Sequence, residues 1–431
     1  MKISSILGLN ARAAQFSYNY NSLPAKKRAD SKIQTARVLK RADILTPKIY
    51  QKLRKPEDLI GFAWEDLPSC FVIKPSRGLG GEGIVIIKKK LTSRKLTQHV
   101  WVTSQKQRLT QEDLNLHSLD IIEGAYSLGN IPDVALVQES VGRHKIFRRF
   151  AYRGTPDIRV IVFNKVPVMA MLRLPTKVSG GRANLHQGAL GVGIDMATGI
   201  TTKAIWFGKV ITHKPGTNRK LQGIKIPNWT STLALAVTAQ IASGLGYVGI
   251  DILYHPEKGQ MVLEINAEPG LEIQLANMAG LKKRLERVED LEVVNSEHGV
   301  KIAKALFSSG LVAKARTEEE PITVEVFEEI KIRTNSTKYK VKAKLDTGAW
   351  RSSIDKGLAE KLGLLAPDNI LWTKKVKSSL GIEERSIINL TFYLKGKKVT
   401  TAAGLANRSN LRTSVIIGRR DLAGFLVKPV N

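Results

Sequence analysis

The stretch Phe71–Ile87, "FVIKPSRGLGGEGIVII", places a glycine-rich loop between two short apolar runs. These runs predict strands at about residues 71–74 and 84–87, with Lys74 at the base of the loop. The loop contains four glycines: Gly78, Gly80, Gly81 and Gly83. Glycine lacks Cβ, so the backbone N–H groups of such a loop permit the close approach of a phosphate. The loop does not match the Walker pattern, and a ligand-free hairpin fits it equally well.

The bulk composition is that of a globular protein with room for two or three domains. The chain has 431 residues, of which 43% are hydrophobic and 25% are charged. A single cysteine, Cys70, excludes an internal disulfide framework, and no apolar run approaches the ~20 residues of a membrane-spanning helix. We therefore expect a cytoplasmic protein with no membrane partner.

The formal net charge of +30 indicates an affinity for polyanions. The lysines and arginines, however, are spread along the whole chain and form no basic tail or helix stripe. Aromatic residues make up only 6% of the chain, and no RNA-binding signature occurs. Nucleic-acid binding is possible but not favoured, and a solvated basic surface fits this pattern better.

Hydrophobic patterning predicts an α+β chain with two folded parts. Helices are predicted over residues 31–45, 231–246, 272–288 and about 297–309, and strand pairs over residues 157–174 and 247–266. The first pair has its turn at Asn164-Lys165. A mixed charge run closed by Pro321 predicts a linker over residues 311–321, between a larger unit, 1–310, and a strand-rich domain, 322–431.

A second constellation lies nearly two hundred residues beyond the glycine loop. Side chains alternate along a strand, so Glu264 and Asn266 in "MVLEIN" point to the same face. A hairpin can bring Asp251 of "YVGIDIL" beside them as a third oxygen ligand, and Mg²⁺ prefers such ligands. A lone aspartate is more typical of a solvent-facing position, but the glutamate and asparagine together favour metal binding.

Several motifs occur in the order found in ATP-grasp ligases: "FVIKPSRGLGGEGIVII", "VALVQES", "PDIRVIVF", "RANLHQGALGVGID", "YVGIDIL" and "LEINAEPGLEIQLAN". The set is most similar to the alpha-L-glutamate-ligase-like (RimK-related) branch. The resemblance covers about residues 7–290 and implies an ATP-grasp fold.

The resemblance also implies roles for individual residues. Those implied to bind ATP are Lys32, Lys74, the lid glycines Gly78, Gly80, Gly81 and Gly83, and Gln138 and Glu139 at the adenine and ribose. Those implied to bind Mg²⁺ (one or two ions) are Asp251, Glu264 and Asn266. Those implied to meet the transferred phosphoryl group or the substrate carboxylate are Arg159 and Arg182. Asn184 and His186 are implied to line the acceptor pocket, although His186 is equally typical of a structural histidine.

The implied chemistry is the activation of a carboxylate by ATP. An acyl phosphate forms, an amine attacks it, and the products are an amide, ADP and phosphate. Positioning and charge neutralisation supply most of such catalysis. Amino acids or peptides are the expected substrates. The alternatives are a nucleic-acid- or ribosome-associated binding protein on an ATP-grasp scaffold, and a phosphotransferase.

The last part of the chain contains a lone Asp-Thr-Gly, in "VKAKLDTGAWRSSI", and later "TSVIIGRRDLAGFLVKP". Residues 322–431 resemble a single-lobed retropepsin, and also domains named ATP-dependent zinc proteases. Aspartic proteolysis needs two carboxylates that share a proton, so Asp346 requires its own copy across a two-fold axis. An active peptidase is therefore expected to be a homodimer.

The zinc assignment is rejected, because residues 322–431 contain no histidine and no cysteine. The residues "AWRSS" that follow the motif depart from the retropepsin pattern. An inactive module for dimerisation or substrate binding is therefore as well supported as an aspartic peptidase that trims product.

Overall fold

The computed structural model describes residues 5–78, 81–91, 99–127, 129–308, 321–334, 337–378, 381–408 and 411–428. The chain divides into two compact units, of which the first comprises Met1–Ile194 with Gly199–Glu286 and the second Asp195–Thr198 with Arg287–Asn431. The predicted linker over residues 311–321 lies outside the described residues except for Pro321. The predicted domain limits at 310 and 322 stay predictions.

The first sheet of unit 1 contains the two strands that flank the glycine-rich loop. Its strands are β1 Ile49–Leu53, β2 Phe71–Pro75, β3 Val85–Leu91, β4 Val100–Thr103, β5 Arg108–Leu109 and β6 Ala135–Glu139, in the order β1-β6-β2-β3-β4-β5. All neighbours are antiparallel, and β2 and β3 pair directly across the glycine loop as predicted. Alternate residues of β2, such as Phe71 and Ile73, pack into a core with Trp64 and Trp101.

The second sheet of unit 1 carries the predicted strand pairs. Its strands are β7 Asp157–Phe163, β8 Val166–Leu174, β9 Leu190–Ile194, β10 Thr201–Trp206, β11 Lys209–Ile211, β12 Tyr247–His255 and β13 Gly259–Asn266, in the order β11-β10-β9-β8-β7-β12-β13. Asn164 and Lys165 both have positive φ, 48° and 59°. Two such residues form a tight hairpin turn whose twist matches that of the strands, which confirms the predicted turn.

Helices cover the sheets of unit 1. They comprise the N-terminal helical run Leu9–Ala11, Arg12–Ser17 and Tyr18–Tyr20, then Leu23–Ala29, Lys32–Arg41, Gln111–Ile122 and Trp229–Ser243, with short 3₁₀ turns at Pro56–Leu59, Trp64–Asp66 and Lys145–Phe147. The Ser31 side chain accepts a hydrogen bond from Gln34 N and so caps the helix Lys32–Arg41. Gly244, at φ 72°, ends the helix Trp229–Ser243.

One predicted helix is wrong. The segment 272–288 forms two short helices, Ile273–Asn277 and Lys282–Glu286, and not one continuous helix. Met278, at φ 48°, adopts the left-handed conformation and ends the first of them. The apolar spacing continued through this break, so the pattern alone did not reveal it.

Unit 2 is rich in strands, as predicted. Its helices are Ser296–Leu306 and Lys356–Lys361, with a 3₁₀ turn at Arg419–Asp421, and its strands are β14 Ile322–Glu325, β15 Phe327–Arg333, β16 Lys338–Asp346, β17 Ser353–Asp355, β18 Ile370–Ser378, β19 Gly381–Leu394, β20 Lys397–Ala406, β21 Val415–Gly418 and β22 Phe425–Lys428. The main sheet has the order β15-β16-β21-β17-β20-β19-β18, and β15 also pairs with β19. This extra pairing curls the sheet into a barrel around a core that includes Ile332, Leu345 and Phe392. Within the described ranges, no helix has the length and apolarity required to cross a membrane.

Candidate functional site

The second sheet of unit 1 presents a polar face built from four neighbouring strands. Asp251 on β12 lies directly opposite Arg159 on β7 and Glu264 on β13. Directly opposed residues of adjacent strands share a face, as do residues two apart on one strand. Asn266 therefore joins Glu264 on this face. The structure thus brings together the three predicted Mg²⁺ ligands and the predicted catalytic Arg159.

The Asp251 carboxylate is buried and held by two arginines. Arg159 donates its Nε to Oδ1 at 2.8 Å and its Nη2 to Oδ2 at 2.7 Å. Arg173 donates its Nη2 to Oδ2 at 2.7 Å, and Asn266 donates its Nδ2 to the same oxygen at 3.2 Å. Although burial opposes ionisation, Arg159 and Arg173 lower the pKa of Asp251. Asp251 is therefore an ionised carboxylate at neutral pH.

Arg173 also holds a second buried carboxylate that sequence reasoning missed. It donates Nε and Nη2 to the two oxygens of Asp157 at 2.5 and 2.8 Å. Burial raises the pKa of Asp157, the Asp251 carboxylate adds to the rise, and Arg173 opposes it. Two aspartates and two arginines thus balance their charges inside the sheet face, with Arg173 shared between the carboxylates.

The donor set on this face suits Mg²⁺, which prefers carboxylate and amide oxygens. The Glu264 carboxylate is 36% exposed, and among the described residues its single ion pair is with Lys32 Nζ at 3.9 Å. The side-chain oxygen of Asn266 lies on the same face. Glu264 and Asn266 therefore fit a magnesium site whose third member, Asp251, is shared with the arginines. The described residues contain no group of three or more His, Cys, Asp or Glu side chains arranged for a metal.

Lys74 is a buried cation that forms no ion pair with a described residue. Its side chain is 6% exposed, and no hydrogen bond or ion pair joins it to another residue within the described ranges. Burial lowers the pKa of Lys74 to about 8, neighbouring Lys32 adds to the effect, and Glu264 opposes it. Lys32 donates its Nζ to the carbonyl oxygens of Ser76 at 3.4 Å and Gly78 at 3.3 Å. Both predicted phosphate-binding lysines thus lie beside the predicted metal ligands, in a position that an anion would neutralise.

The lid glycines are described in part. Gly80 lies outside the described residues, whereas Gly78, Gly81 and Gly83 lie within them. Gly81 and Gly83 have φ of 83° and 68°, which favours glycine. A Cβ at Gly83 would lie 2.7 Å from the Tyr126 ring, and one at Gly81 would lie 3.8 Å from the Arg182 Cδ. The loop therefore needs glycine at position 83, and Arg182 lies against the loop.

Gln138 and Glu139 end strand β6 with side chains that already have partners. Gln138 donates its Nε2 to the carbonyl oxygen of Pro47 at 2.9 Å. The Glu139 carboxylate accepts hydrogen bonds from Lys48 N at 3.0 Å and from Lys258 Nζ at 2.5 Å. Partial burial opposes ionisation, but the hydrogen bonds from Lys258 and Lys48 N, together with the charges of Lys258 and His255, lower the pKa of Glu139.

The predicted acceptor residues lie in the segment that precedes β9, where Asn184 is half-buried and His186 is exposed. The Asn184 Oδ1 accepts a hydrogen bond from His186 N at 3.0 Å. The His186 side chain is 80% exposed, and its Nε2 contacts the Glu272 carboxylate. His186 is therefore not a buried structural histidine.

Asp346 of unit 2 ends strand β16 directly opposite Gly418 of β21. Its Oδ1 accepts hydrogen bonds from Gly348 N at 2.9 Å and Ala349 N at 3.1 Å, and Lys344 Nζ lies 3.4 Å from Oδ2. Slight burial acts in the opposite direction, but these N–H groups lower the pKa of Asp346. The Asp-Thr-Gly turn thus presents an ionised carboxylate.

Two further carboxylates of unit 1 were missed, Glu268 and Glu272 in the "AEPGLE" segment. Glu268 accepts from Lys26 Nζ at 2.7 Å and from Arg12 Nη2 at 3.0 Å, and so ties the N-terminal helical run to the end of β13. The position of Glu268 two residues after the predicted metal ligand Asn266 is the sequence signal that could have indicated it as a site residue. Its basic partners are about 250 residues away and no local pattern indicates them.

The chain matches several solved structures at low identity. The ATP-grasp ligase PsnB, solved with a minimal precursor, is 18% identical over 59% of this chain and 57% of its own, with a TM-score of 0.30. The macrocyclase MdnC from Microcystis aeruginosa, solved with the precursor peptide MdnA, is 15% identical over 62% of this chain and 64% of its own, with a TM-score of 0.34. The D-cycloserine synthetase DcsG is 15% identical over 63% of this chain and 73% of its own, with a TM-score of 0.35.

The chain covers less than two thirds of the first two of these proteins. Identities and TM-scores this low carry no inference about activity. Among curated protein sequences, no significant match was found.

The family comparison is decisive, because it spans more than half of the chain. The model of the family described as "Sugar-transfer associated ATP-grasp" matches residues 11–290. This range contains the glycine loop, both lysines and the polar face of the second sheet. The alpha-L-glutamate-ligase-like branch expected from the motifs stays a prediction. The chain belongs to the sugar-transfer-associated ATP-grasp family.

Proposed function

We propose that the chain is an ATP-dependent carboxylate–amine ligase that forms an amide through an acyl phosphate. The observation that carries this proposal is the buried Lys74, which has no counter-ion among the described residues and lies beside Lys32 and Glu264. A buried cation is unfavourable unless it is paired. The triphosphate of ATP would supply the missing negative charge, and family membership supports ATP as the nucleotide.

The remaining parts of the nucleotide site follow from their positions. The family resemblance assigns Gly78, Gly80, Gly81 and Gly83 to the lid over the phosphates, and it assigns the backbone and carboxylate at Gln138 and Glu139 to the adenine and ribose. Glu264 and Asn266, with Asp251, would hold Mg²⁺. When bound, the ion supplies positive charge that neutralises the phosphate oxygens.

The proposed reaction has two balanced steps. A carboxylate oxygen attacks the γ-phosphorus of ATP, the bond to the β-phosphate oxygen breaks, and ADP leaves. An amine then attacks the acyl carbon, phosphate leaves with the former carboxylate oxygen, and the nitrogen loses a proton. Arg182, which lies against the lid loop, is positioned to neutralise the transferred phosphoryl group or the substrate carboxylate. Arg159 also holds Asp251 and so couples this role to the proposed metal site.

The test is incubation with Mg²⁺-ATP and pooled amino acids or peptides, followed by measurement of ADP, phosphate and new product masses. We expect ADP formation that requires a carboxylate and an amine, with an equal amount of amide. Glu264→Ala should abolish it, and the exposed Glu257→Ala should not. No carboxylate-dependent ADP, or equal activity in the parent and Glu264→Ala, would refute the proposal.

Assays on the same purified protein distinguish the ligase from two other candidate functions. A phosphotransferase would yield a phosphorylated acceptor in place of an amide. A nucleic-acid-binding protein would lose its affinity steeply between about 50 and 200 mM salt by counterion release, whereas ATP turnover would persist.

For unit 2 we propose a role that depends on a second copy of the chain. The hydrogen bonds from Gly348 N and Ala349 N hold Asp346 ionised, as required for the basic member of a carboxylate dyad. A second Asp346 across a two-fold axis would provide the protonated member. The alternative is that the same barrel serves only dimerisation or substrate binding.

A further inference from the structure

Unit 1 contains an arginine-lined cavity beside the helix Lys32–Arg41. The cavity is open and has a volume of about 550 Å³, within the range of small-molecule sites. Its charged lining consists of five arginines and one aspartate: Arg28, Arg37, Arg41, Arg54, Arg77 and Asp133.

The arginines reach the cavity from separate segments of the fold. Arg37 and Arg41 lie one turn apart on a single face of the helix Lys32–Arg41. Arg54 directly follows strand β1, and Arg77 lies two residues after strand β2. Arg28 lies near the end of the preceding helix, Leu23–Ala29. The tertiary fold, and not a local charge run, produces this concentration of positive charge.

None of these guanidinium groups forms an ion pair with a described residue, although Asp30 lies near Arg77 and Asp58 near Arg54. Within the described ranges, no salt bridge involves any of the five arginines. The lining aspartate, Asp133, is buried and accepts a hydrogen bond from the backbone N–H of Arg77 at 2.7 Å. Arg28 donates to the carbonyl oxygen of Ser243 at 3.4 Å. Like charges one helix turn apart repel each other, so an anion beside Arg37 and Arg41 would relieve this repulsion.

We propose that this cavity binds a small molecule that bears two or more phosphate groups. Guanidinium forks bind phosphate oxygens in pairs, and several forks converge here. None of the described residues that line the cavity is aromatic, so they offer a nucleobase no ring on which to stack. The apolar side chains of the lining are aliphatic, namely Ile33, Val38, Pro132 and Val134. Phosphate groups are therefore the part of the ligand that the cavity recognises.

The cavity is separate from the proposed nucleotide site, although Ser76 connects the two. None of Lys32, Lys74 and Glu264 lines the cavity. Ser76 does, and its carbonyl oxygen accepts hydrogen bonds from both the backbone N and the Nζ of Lys32. An anion in the cavity would therefore contact the segment that leads into the lid. This inference does not depend on the ligase proposal, because it concerns binding alone.

The test is calorimetric titration of the full chain with inorganic pyrophosphate. The double variant Arg37→Gln/Arg41→Gln removes two exposed cavity charges, and Lys27→Gln/Lys40→Gln removes two exposed charges that do not line the cavity. We expect the affinity to fall roughly tenfold or more in the first variant and less than about twofold in the second. Arg54→Gln, on a different segment, should weaken binding independently. Lys89→Met, at an exposed lysine that does not line the cavity, should leave it intact.

Parallel titrations with ADP and with a phosphorylated sugar show which class of molecule carries the phosphate groups that the cavity binds. Only a ligand that binds in the cavity should bind more weakly to the arginine variants than to the parent. Equal losses in the two double variants would overturn the proposal, because the binding would then reflect net charge alone. Loss of pyrophosphate binding in Lys74→Met would overturn it by placing pyrophosphate in the nucleotide site. Arginine-dependent binding of a single-stranded oligonucleotide without any binding of pyrophosphate would overturn it in favour of nucleic acid.

Discussion

Lys74→Met should make the nucleotide-free protein more stable while it weakens ATP binding. The Lys74 pKa of about 8, in place of 10.5, corresponds to about 3 kcal/mol of free energy that disfavours the buried charge. Methionine keeps a similar length without the charge. Part of the gain is lost to imperfect packing, so we expect stabilisation of about 1–3 kcal/mol at pH 7 and at least a tenfold loss of affinity for Mg²⁺-ATP.

The stability difference between Lys74→Met and the parent should change with pH in one direction. Between pH 8 and 10.5 the unfolded chain holds a proton on Lys74 that the folded chain has lost, so the parent gains stability as the pH rises through this interval. The advantage of the variant should therefore be complete below pH 8 and should shrink towards pH 10.5. The difference in free energy of unfolding between variant and parent at each pH isolates the effect of Lys74, because the other lysines titrate equally in both proteins.

The assay is urea unfolding of the full chain, with hydrogen exchange of the β2 and β6 amides to report the stability of unit 1. Lys89→Met is the matched control, because Lys89 is exposed on strand β3. Its effect on stability should stay within about 0.5 kcal/mol, and its effect on ATP affinity should be small. A destabilised Lys74→Met protein with unchanged ATP affinity would refute the reasoning, because Lys74 would then be a structural residue.

Three further predictions concern the polar face and unit 2. Arg173→Met leaves the buried Asp157 without its cation and should cost about 3–5 kcal/mol in urea unfolding, and a second change, Asp157→Asn, should restore much of the loss. If the double variant is no more stable than Arg173→Met, the unpaired charge of Asp157 is not the cause of the destabilisation. Glu264→Gln should weaken Mg²⁺-dependent ATP binding by about tenfold or more, and the matched Glu257→Gln should not; an identical metal dependence would exclude Glu264 as a ligand. Asp346→Ala should abolish any peptide cleavage while the dimer persists in sedimentation, and cleavage by the variant would place the activity elsewhere.

Local patterns predicted the parts of the fold that depend on neighbouring residues. The alternation along "MVLEIN" put Glu264 and Asn266 on one face, and the turn at Asn164-Lys165 set the register of the β7–β8 hairpin. The break at Met278 was not predictable in this way, because a left-handed methionine leaves no signal in apolar spacing. Both strand pairs and three of the four predicted helices therefore followed from the sequence, whereas helices such as Gln111–Ile122 were not predicted.

The site required tertiary information that the sequence lacks. Arg173 interrupts an otherwise apolar strand, and its partners Asp157 and Asp251 become evident only once β7 lies between β8 and β12. The contact of Lys32 with Glu264 joins residues more than two hundred positions apart. Family resemblance placed Lys32 near the phosphates, but only the fold reveals that Lys74 is buried without a counter-ion among the described residues.

Transfer of an isotope label from the substrate carboxylate to phosphate shows whether ATP activates a carboxylate. A substrate carboxylate labelled with ¹⁸O is incubated with the protein, Mg²⁺-ATP and the amine that supports turnover, and the released phosphate is examined by mass spectrometry. The account predicts one ¹⁸O atom in each phosphate, because the carboxylate oxygen leaves with the phosphoryl group. Phosphate without ¹⁸O, or a phosphoryl group retained on the acceptor, would contradict it.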